Sequence, residues 1–142
     1  MRNGASFGDK HSYFDWGLLT KSPPVVSPPE PKTKLVEVFG SNSIIDLTES
    51  LTGQVHYQQR QITCEFVLMG SPDKQEDVHT DILNHLHGKR MDIVLDNDPE
   101  YYYTGRVKVS QWEPGQHCAS ITITADVEPY KTAKHIAGKK VL

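Results

Sequence analysis

The sequence lacks most of what chemistry is built from. It has only two cysteines, Cys64 and Cys118, and they follow no metal or redox spacing. Each sits beside strand-like sequence, so two buried free thiols are expected rather than a disulfide. There is no glycine-rich phosphate loop, no G-x-S-x-G elbow and no H-E-x-x-H. No apolar run approaches the ~20 residues that cross a membrane. The opening MRNGASFGDKHSYFDWGLL lacks the apolar centre of a signal peptide. A protein made in a cytosol, not exported by the usual route and not inserted in a membrane, is therefore expected. Clustered positive charge is scarce as well. Fifteen Lys and Arg against eighteen Asp and Glu give a formal charge of −3. The basic residues are dispersed except in the tail YKTAKHIAGKK, which reads as a solvated end. That argues against nucleic acid as the main ligand, because phosphate binding needs clustered Lys and Arg.

What is present is strand. The chain has 142 residues, the size of one ordinary domain, and such a domain buries about two-thirds of its unfolded surface. QITCEFVL sets Ile62, Cys64, Phe66 and Leu68 on one face, with Gln61, Thr63 and Glu65 on the other. SITITADV repeats the period, with Ile121, Ile123, Ala125 and Val127 inward and Thr122, Thr124 and Asp126 outward. MDIVL and YYYTGRVKVSQW supply two more strands. DNDPE joins those two, and EPGQ places Pro114 and Gly115 at the centre of an expected type II turn. Residues 90–127 thus read as a three-stranded meander. Upstream, KLVEVFG and SIIDLTE read as two strands around GSNS. A single helix interrupts the strands, with Ser71 as cap and Pro72 at its first position. Asp73, Glu76 and Asp77 sit early in it, Val78, Ile82, Leu83 and Leu86 form its apolar stripe, and Gly88 with Lys89 and Arg90 closes it. The fold class is mainly β (α+β), an antiparallel sheet with one helix packed at its side or end.

Candidate sites do not accumulate into a mechanism. His79, His85 and His87 share the helix with Asp81, but His79 and His87 lie on another azimuth from His85, so solvated histidines are expected rather than a metal site. DNDPEY spaces Asp96, Asp98 and Glu100 like a calcium loop. Tyr101 stands where such a loop needs Gly, and Val107 where it needs Glu, so the turn reading prevails. Asp92, Asp96 and Glu100 have nothing to raise one carboxyl above another. Strand alternation puts Tyr102 opposite Tyr101 and Tyr103, so the three cannot form one stacking platform. No catalytic residue, cofactor or metal is expected.

Residues 22–32, SPPVVSPPEPK, hold Pro23, Pro24, Pro28, Pro29 and Pro31, five of the nine prolines. So dense a stretch is extended, rising ~3 Å per residue. It reads as a stiff arm laid on protein rather than a slack linker, with its own domain or a neighbouring one open as the surface it grips.

Six segments follow one another along the chain: SYFDWGLL, PPEPKTKLVEV, IIDLTESLTG, RQITCEF, ILNHLHGKRMDIVLDNDPEYYYTGRVKV and SITITADVEPYK. In that order they resemble the N-terminal domain of the siphophage distal tail protein, often called Dit, of phages of Gram-positive hosts. DLTE, LHGK, YYYTGRV and DVEPYK are the most specific, and the match spans nearly residues 12–131. The resemblance implies an antiparallel β-sandwich with one flanking α-helix and an extended Pro-rich arm or hairpin. The expected layout is one domain over residues 1–142, without a second. It has an extended arm at 12–33, a sandwich at 34–130 with its helix at about 72–87, and a tail at 131–142.

The resemblance implies a structural virion protein, not an enzyme: a homo-hexameric ring at the phage tail tip, made in the bacterial host cytoplasm. The ring would be a baseplate hub joining the tail tube protein to the tail-associated fibre or lysin protein, with other baseplate components possible and DNA only passing through an axial channel. Subunit contacts are expected at the five prolines and at Asp46, Thr48 and Glu49. Trp16, Arg60, Gly88, Gly105, Arg106, Trp112 and Tyr130 are expected to hold the domain together. The sequence departs from relatives in having FGSNS where many have PG-x-x-G before DLTE. It also stops about ten residues after EPYK, where larger relatives continue into a second domain. The alternatives are a tail-tube or tube-capping subunit, and a glycan-binding β-sandwich using Trp and Tyr.

Overall fold

The computed structural model describes residues 4–32, 35–37, 40, 44–46, 56–134 and 139–142. Its elements in chain order are β1 (Ala5–Phe7), β2 (Lys10–His11), β3 (Leu19–Val26), β4 (Pro31–Lys32), β5 (Leu35–Glu37), β6 (Ile44–Asp46), β7 (His56–Tyr57) and β8 (Arg60–Met69). The helix α1 (Pro72–Leu86) follows, then β9 (Lys89–Leu95), β10 (Tyr101–Glu113), β11 (Cys118–Val127), β12 (Lys131–Ala133) and β13 (Lys140–Val141). The main sheet runs β2-β1-β9-β10-β11-β8-β3, with β12 and β13 branching from β10. Every pairing in it is antiparallel. The result is mainly β, the antiparallel sandwich type with one flanking helix.

Alternation decides the faces. Ile62, Cys64, Phe66 and Leu68 of β8 are buried with Ile121, Ile123, Ala125 and Val127 of β11, as the period of two requires. Tyr103 and Val107 of β10 and Ile93 and Leu95 of β9 extend the same dry face. The helix carries the chain from β8 to β9 past β11 and β10, and it buries Ile82 and Leu86 against them. Burying a Leu or Ile side chain stabilises by about 1.5–3 kcal/mol, which is how a 15-residue helix that would be marginal alone is held. Burial also pushes the Cys64 thiol up to about 12, so it is an inert core group.

Several expectations need correcting. Cys118 is exposed, because its pairing with Met69 puts it on the face opposite buried Ala119. Thr124 lies on the outward face yet is buried, and its hydroxyl has no partner among the described residues. Gly115 has no positive φ, so EPGQ is not a type II turn; instead its backbone is tied to Gln75 of the helix. Ser71 stands at the N-cap with extended dihedrals, but its hydroxyl makes no capping bond, and Pro72 sets the helix start through its fixed φ. Gly88 does close the helix, at φ +77°.

The first residues also fold. β1 pairs with β9 and places Ala5 and Phe7 in the core. Residues 11–18 are a bonded turn rather than an extended arm, with Asp15 N–H to His11 O at 3.1 Å and Gly17 N–H to Tyr13 O at 2.9 Å. Leu19–Val26 is a strand of the domain's own sheet, antiparallel to β8. The proline stretch thus begins on its own domain. Proline tolerates this because β3 is an edge strand, and Pro23 and Pro24 fall where the register shifts, at positions that need no N–H.

Candidate functional site

The main candidate is where the chain leaves the sheet and returns. Val25 pairs with Thr63 and Val26 with Ile62. Beyond them, Ser27 N–H reaches Gln61 O at 3.0 Å, Gln58 N–H reaches Glu30 O at 2.7 Å, and Pro31 and Lys32 pair with Tyr57 and His56. Each step outward on one strand is matched by one step on the other, so β4 and β7 continue the β3–β8 ladder without a shift. The β11 ladder, however, stops at Val127 opposite Arg60. Past that point the two strands form a ribbon with no third strand beside it among the described pairings. Farther along, β5 pairs with β6.

The root of this ribbon is clamped. Arg60 donates from Nε to Ser27 O at 3.0 Å and from Nη1 to Pro129 O at 3.3 Å, and its guanidinium lies 5.6 Å from the centre of the Tyr103 ring. One planar cation thereby joins the outgoing strand, the returning strand and the loop before β12. Ser27 Oγ closes the last rung, accepting the Gln61 N–H at 3.1 Å and donating to Gln61 O at 3.2 Å. Tyr57 meets Tyr130 edge to face at 6.1 Å. Nearby, Lys131 Nζ sits 2.6 Å from Asp98 and 4.5 Å from the centre of the Tyr101 ring. The Asp98 hydrogen bond holds the Lys131 ammonium above its ordinary range.

The residues singled out by sequence fall into two groups. Pro28 and Pro29 lie between β3 and β4, Pro31 opens β4, and Asp46 closes β6. Thr48 and Glu49 lie outside the described residues. Trp16 is buried and donates its indole N–H to Asp81 Oδ2 at 2.8 Å. Gly105 sits in β10 against β11, and Arg106 Nη1 donates to Gly88 O at 2.8 Å. Trp112 is half-buried under His79.

The sequence leads one to expect solvated helix histidines; in the structure His79 and His85 are half-buried and His87 is exposed, and each has a structural partner. His79 stacks on Trp112, the His85 ring lies 3.1 Å from Phe7 O, and His87 Nδ1 accepts the Val109 N–H. Among the described residues no group of His, Cys, Asp or Glu is arranged to hold a metal ion. His11 and Asp96 have the look of a catalytic pair, with Nε2 2.9 Å from Asp96 Oδ1. Its Nδ1, however, accepts the Tyr13 N–H at 3.0 Å, so both ring nitrogens are committed to holding the turn. Sequence reasoning missed Gln75, His11 and Ser12, because polar side chains satisfied by distant backbone leave no periodic signal.

Trp16 also carries a pH dependence. Its N–H holds the Asp81 carboxyl below the ordinary range, with Lys10 adding to the effect. This contribution is present above the unfolded value of about 3.9 and is lost as pH falls through the lower folded one. Asp81 is well exposed, so Asp81→Asn should cost under about 1 kcal/mol at pH 6 and still less at pH 3. Urea midpoints at the two pH values check this.

No protein-family model matches the sequence, and no curated protein matches it. The structure is similar to the crystal structure of the SPP1 Dit protein (gp 19.1), presented as a paradigm of hub adsorption apparatus in Gram-positive infecting phages. The two agree at a TM-score of 0.68 with 13% sequence identity. The likeness covers 94% of this chain and 52% of that one, so this chain spans about half the length of the protein it matches.

Proposed function

We propose that this chain is a structural subunit of a phage tail tip, one of six copies in a ring that serves as the hub of the adsorption apparatus. The observation that carries this reading is the shared fold along nearly the whole chain. In this role the ring joins the tail tube protein to a fibre or lysin protein, offers a base for other baseplate components, and leaves an axial channel for DNA. The role is architectural, not enzymatic; the chain is made in the host cytoplasm and resides in the virion.

The ribbon fits that role physically. A two-stranded ribbon is marginally stable in water without a third strand or a surface to lie on. At about 3.3 Å per residue, the six residues 27–32 alone extend roughly 20 Å. A ring is closed by two different patches on each subunit, and the ribbon and the face that receives it would form such a pair. Stable closure needs on the order of 1,000 Å² or more of buried surface, which an arm adds without enlarging the domain. Trp16 and Tyr103 are buried and Trp112 is under His79, which leaves a glycan platform only the half-buried Tyr101 and Tyr102, on opposite faces of β10.

Replacing residues 28–59 by a short glycine-containing turn that preserves the Ser27–Gln61 rung tests this. The shortened protein should melt within a few degrees of the parent, because the main sheet is untouched, yet remain monomeric in light scattering and electron microscopy where the parent forms rings. Equal ring formation by both proteins would remove the ribbon from the contact. A parent that stays monomeric and never enters tails would sink the hub reading itself.

A further inference from the structure

Two imidazoles join the helix to β10. The His79 ring lies flat on the Trp112 indole, with centroids 4.1 Å apart and planes 4° apart. His87, the residue after α1, accepts the Val109 N–H at Nδ1 at 3.0 Å. The β9–β10 ladder ends at Lys89 opposite Val107, and Gly88 N–H adds one more bond to Val107 O at 2.7 Å. Directly after Val109 the β10–β11 register shifts. The His87 ring therefore takes the place of a next strand residue, where β10 bulges.

That bond needs a lone pair. Protonating Nδ1 turns the acceptor into a donor facing another donor. Glu76 on the helix acts on His79, Lys89 of β9 is committed to Asn84 O, Arg90 of β9 to Glu128, and the Arg106 guanidinium of β10 donates to Gly88 O beside His87. By alternation Arg106 and Lys108 share the face of β10 opposite Val107 and Val109. Burial holds the His79 pKa below its ordinary 6.5, Glu76 draws it upward, and His87 pushes it down again. A histidine with a depressed folded pKa contributes its stability above the unfolded value and loses it as pH falls through the folded one.

We propose that His87 is an acid-operated latch: as a neutral ring it fastens the end of α1 to β10, and as a cation it releases that corner while His79 stays on Trp112 and the rest of the sheet stays paired. Ile82 and Leu86 keep the helix on the core, so the opening is local rather than global unfolding.

Amide hydrogen exchange followed by NMR between pH 8 and 5, with the histidine ring protons titrated in the same samples, tests the latch. After correction for intrinsic exchange, Val109 protection should fall about five-fold or more as His87 protonates. The amides of the β8–β11 ladder should keep theirs. In His87→Gln the side-chain oxygen can accept the same N–H without titrating, and the pH dependence at Val109 should vanish. Unchanged Val109 protection across His87 protonation would overturn the proposal. So would an identical pH dependence in His87→Gln.

Discussion

Gly105→Ala should cost this domain on the order of 3 kcal/mol or more, enough to leave a marginal protein largely unfolded at 37 °C. A Cβ at this position would run into Asp126 O and would sit 2.5 Å from Val127 Cα and 2.7 Å from Val127 Cγ1. Two of those three obstacles are backbone of β11, the strand directly paired with β10 through Gly105 opposite Val127. A flexible side chain could swing aside, but a ladder fixed on both sides cannot. Gly105 is also opposite Met91 of β9, so β10 has no free direction to move in. Its φ is not positive, which makes the requirement one of space rather than of backbone conformation. Chemical denaturation is the measurement: a large drop in midpoint at unchanged slope is expected, and a loss under about 1 kcal/mol would mean that the strands separate more easily than this packing implies.

Gln75→Leu is the second large effect, about 2–4 kcal/mol, although the substitution fills nearly the same space with a more hydrophobic side chain. Gln75 is fully buried. Its Nε2 donates to Gly70 O and to Gly115 O, both at 2.9 Å, and its Oε1 accepts the Gly115 N–H at 3.3 Å. One side chain thus satisfies the turn before the helix and the loop between β10 and β11. Leucine would break all three bonds and take this partner from Gly70 O, on a half-buried residue, and a shielded group left unmet costs more than the apolar gain returns. Gln75→Glu separates hydrogen bonding from volume. Buried in that position the carboxyl favours its protonated form, so the variant should be less stable than the parent at pH 7 and recover part of the loss as pH falls. A Gln75→Leu protein as stable as the parent would show that these bonds contribute nothing.

Much of the fold could be read along the chain. The inward sets of β8 and β11 follow from alternation alone, since neighbouring side chains on a strand must point to opposite faces. The helix ends are also local: Pro72 can start a helix and Gly88 can end one whatever surrounds them. The meander of β9, β10 and β11 was legible because short connections leave antiparallel neighbours few alternatives. The candidate site was half legible. Arg60 and Tyr130 stood out in the sequence, but nothing in it says that Arg60 would reach Ser27 and Pro129, residues far from it along the chain.

Pairing partners are where the sequence stopped. SPPVVSPPEPK declared itself extended because proline fixes φ, but an extended segment fits an arm and an edge strand equally well. Only the approach of β8 turned Leu19–Val26 into an edge and left residues 27–32 as a ribbon rooted at Arg60. The same holds for the histidines, whose partners Phe7, Val109 and Trp112 come from β1 and β10. The period of each strand and the Pro72 and Gly88 ends of the helix are set by near neighbours and are therefore written locally, whereas EPGQ took its shape from distant Gln75. Which edge is open, which polar group is satisfied and where the ribbon leaves the sheet depend on contacts between distant segments, and those exist only once the chain has closed on itself.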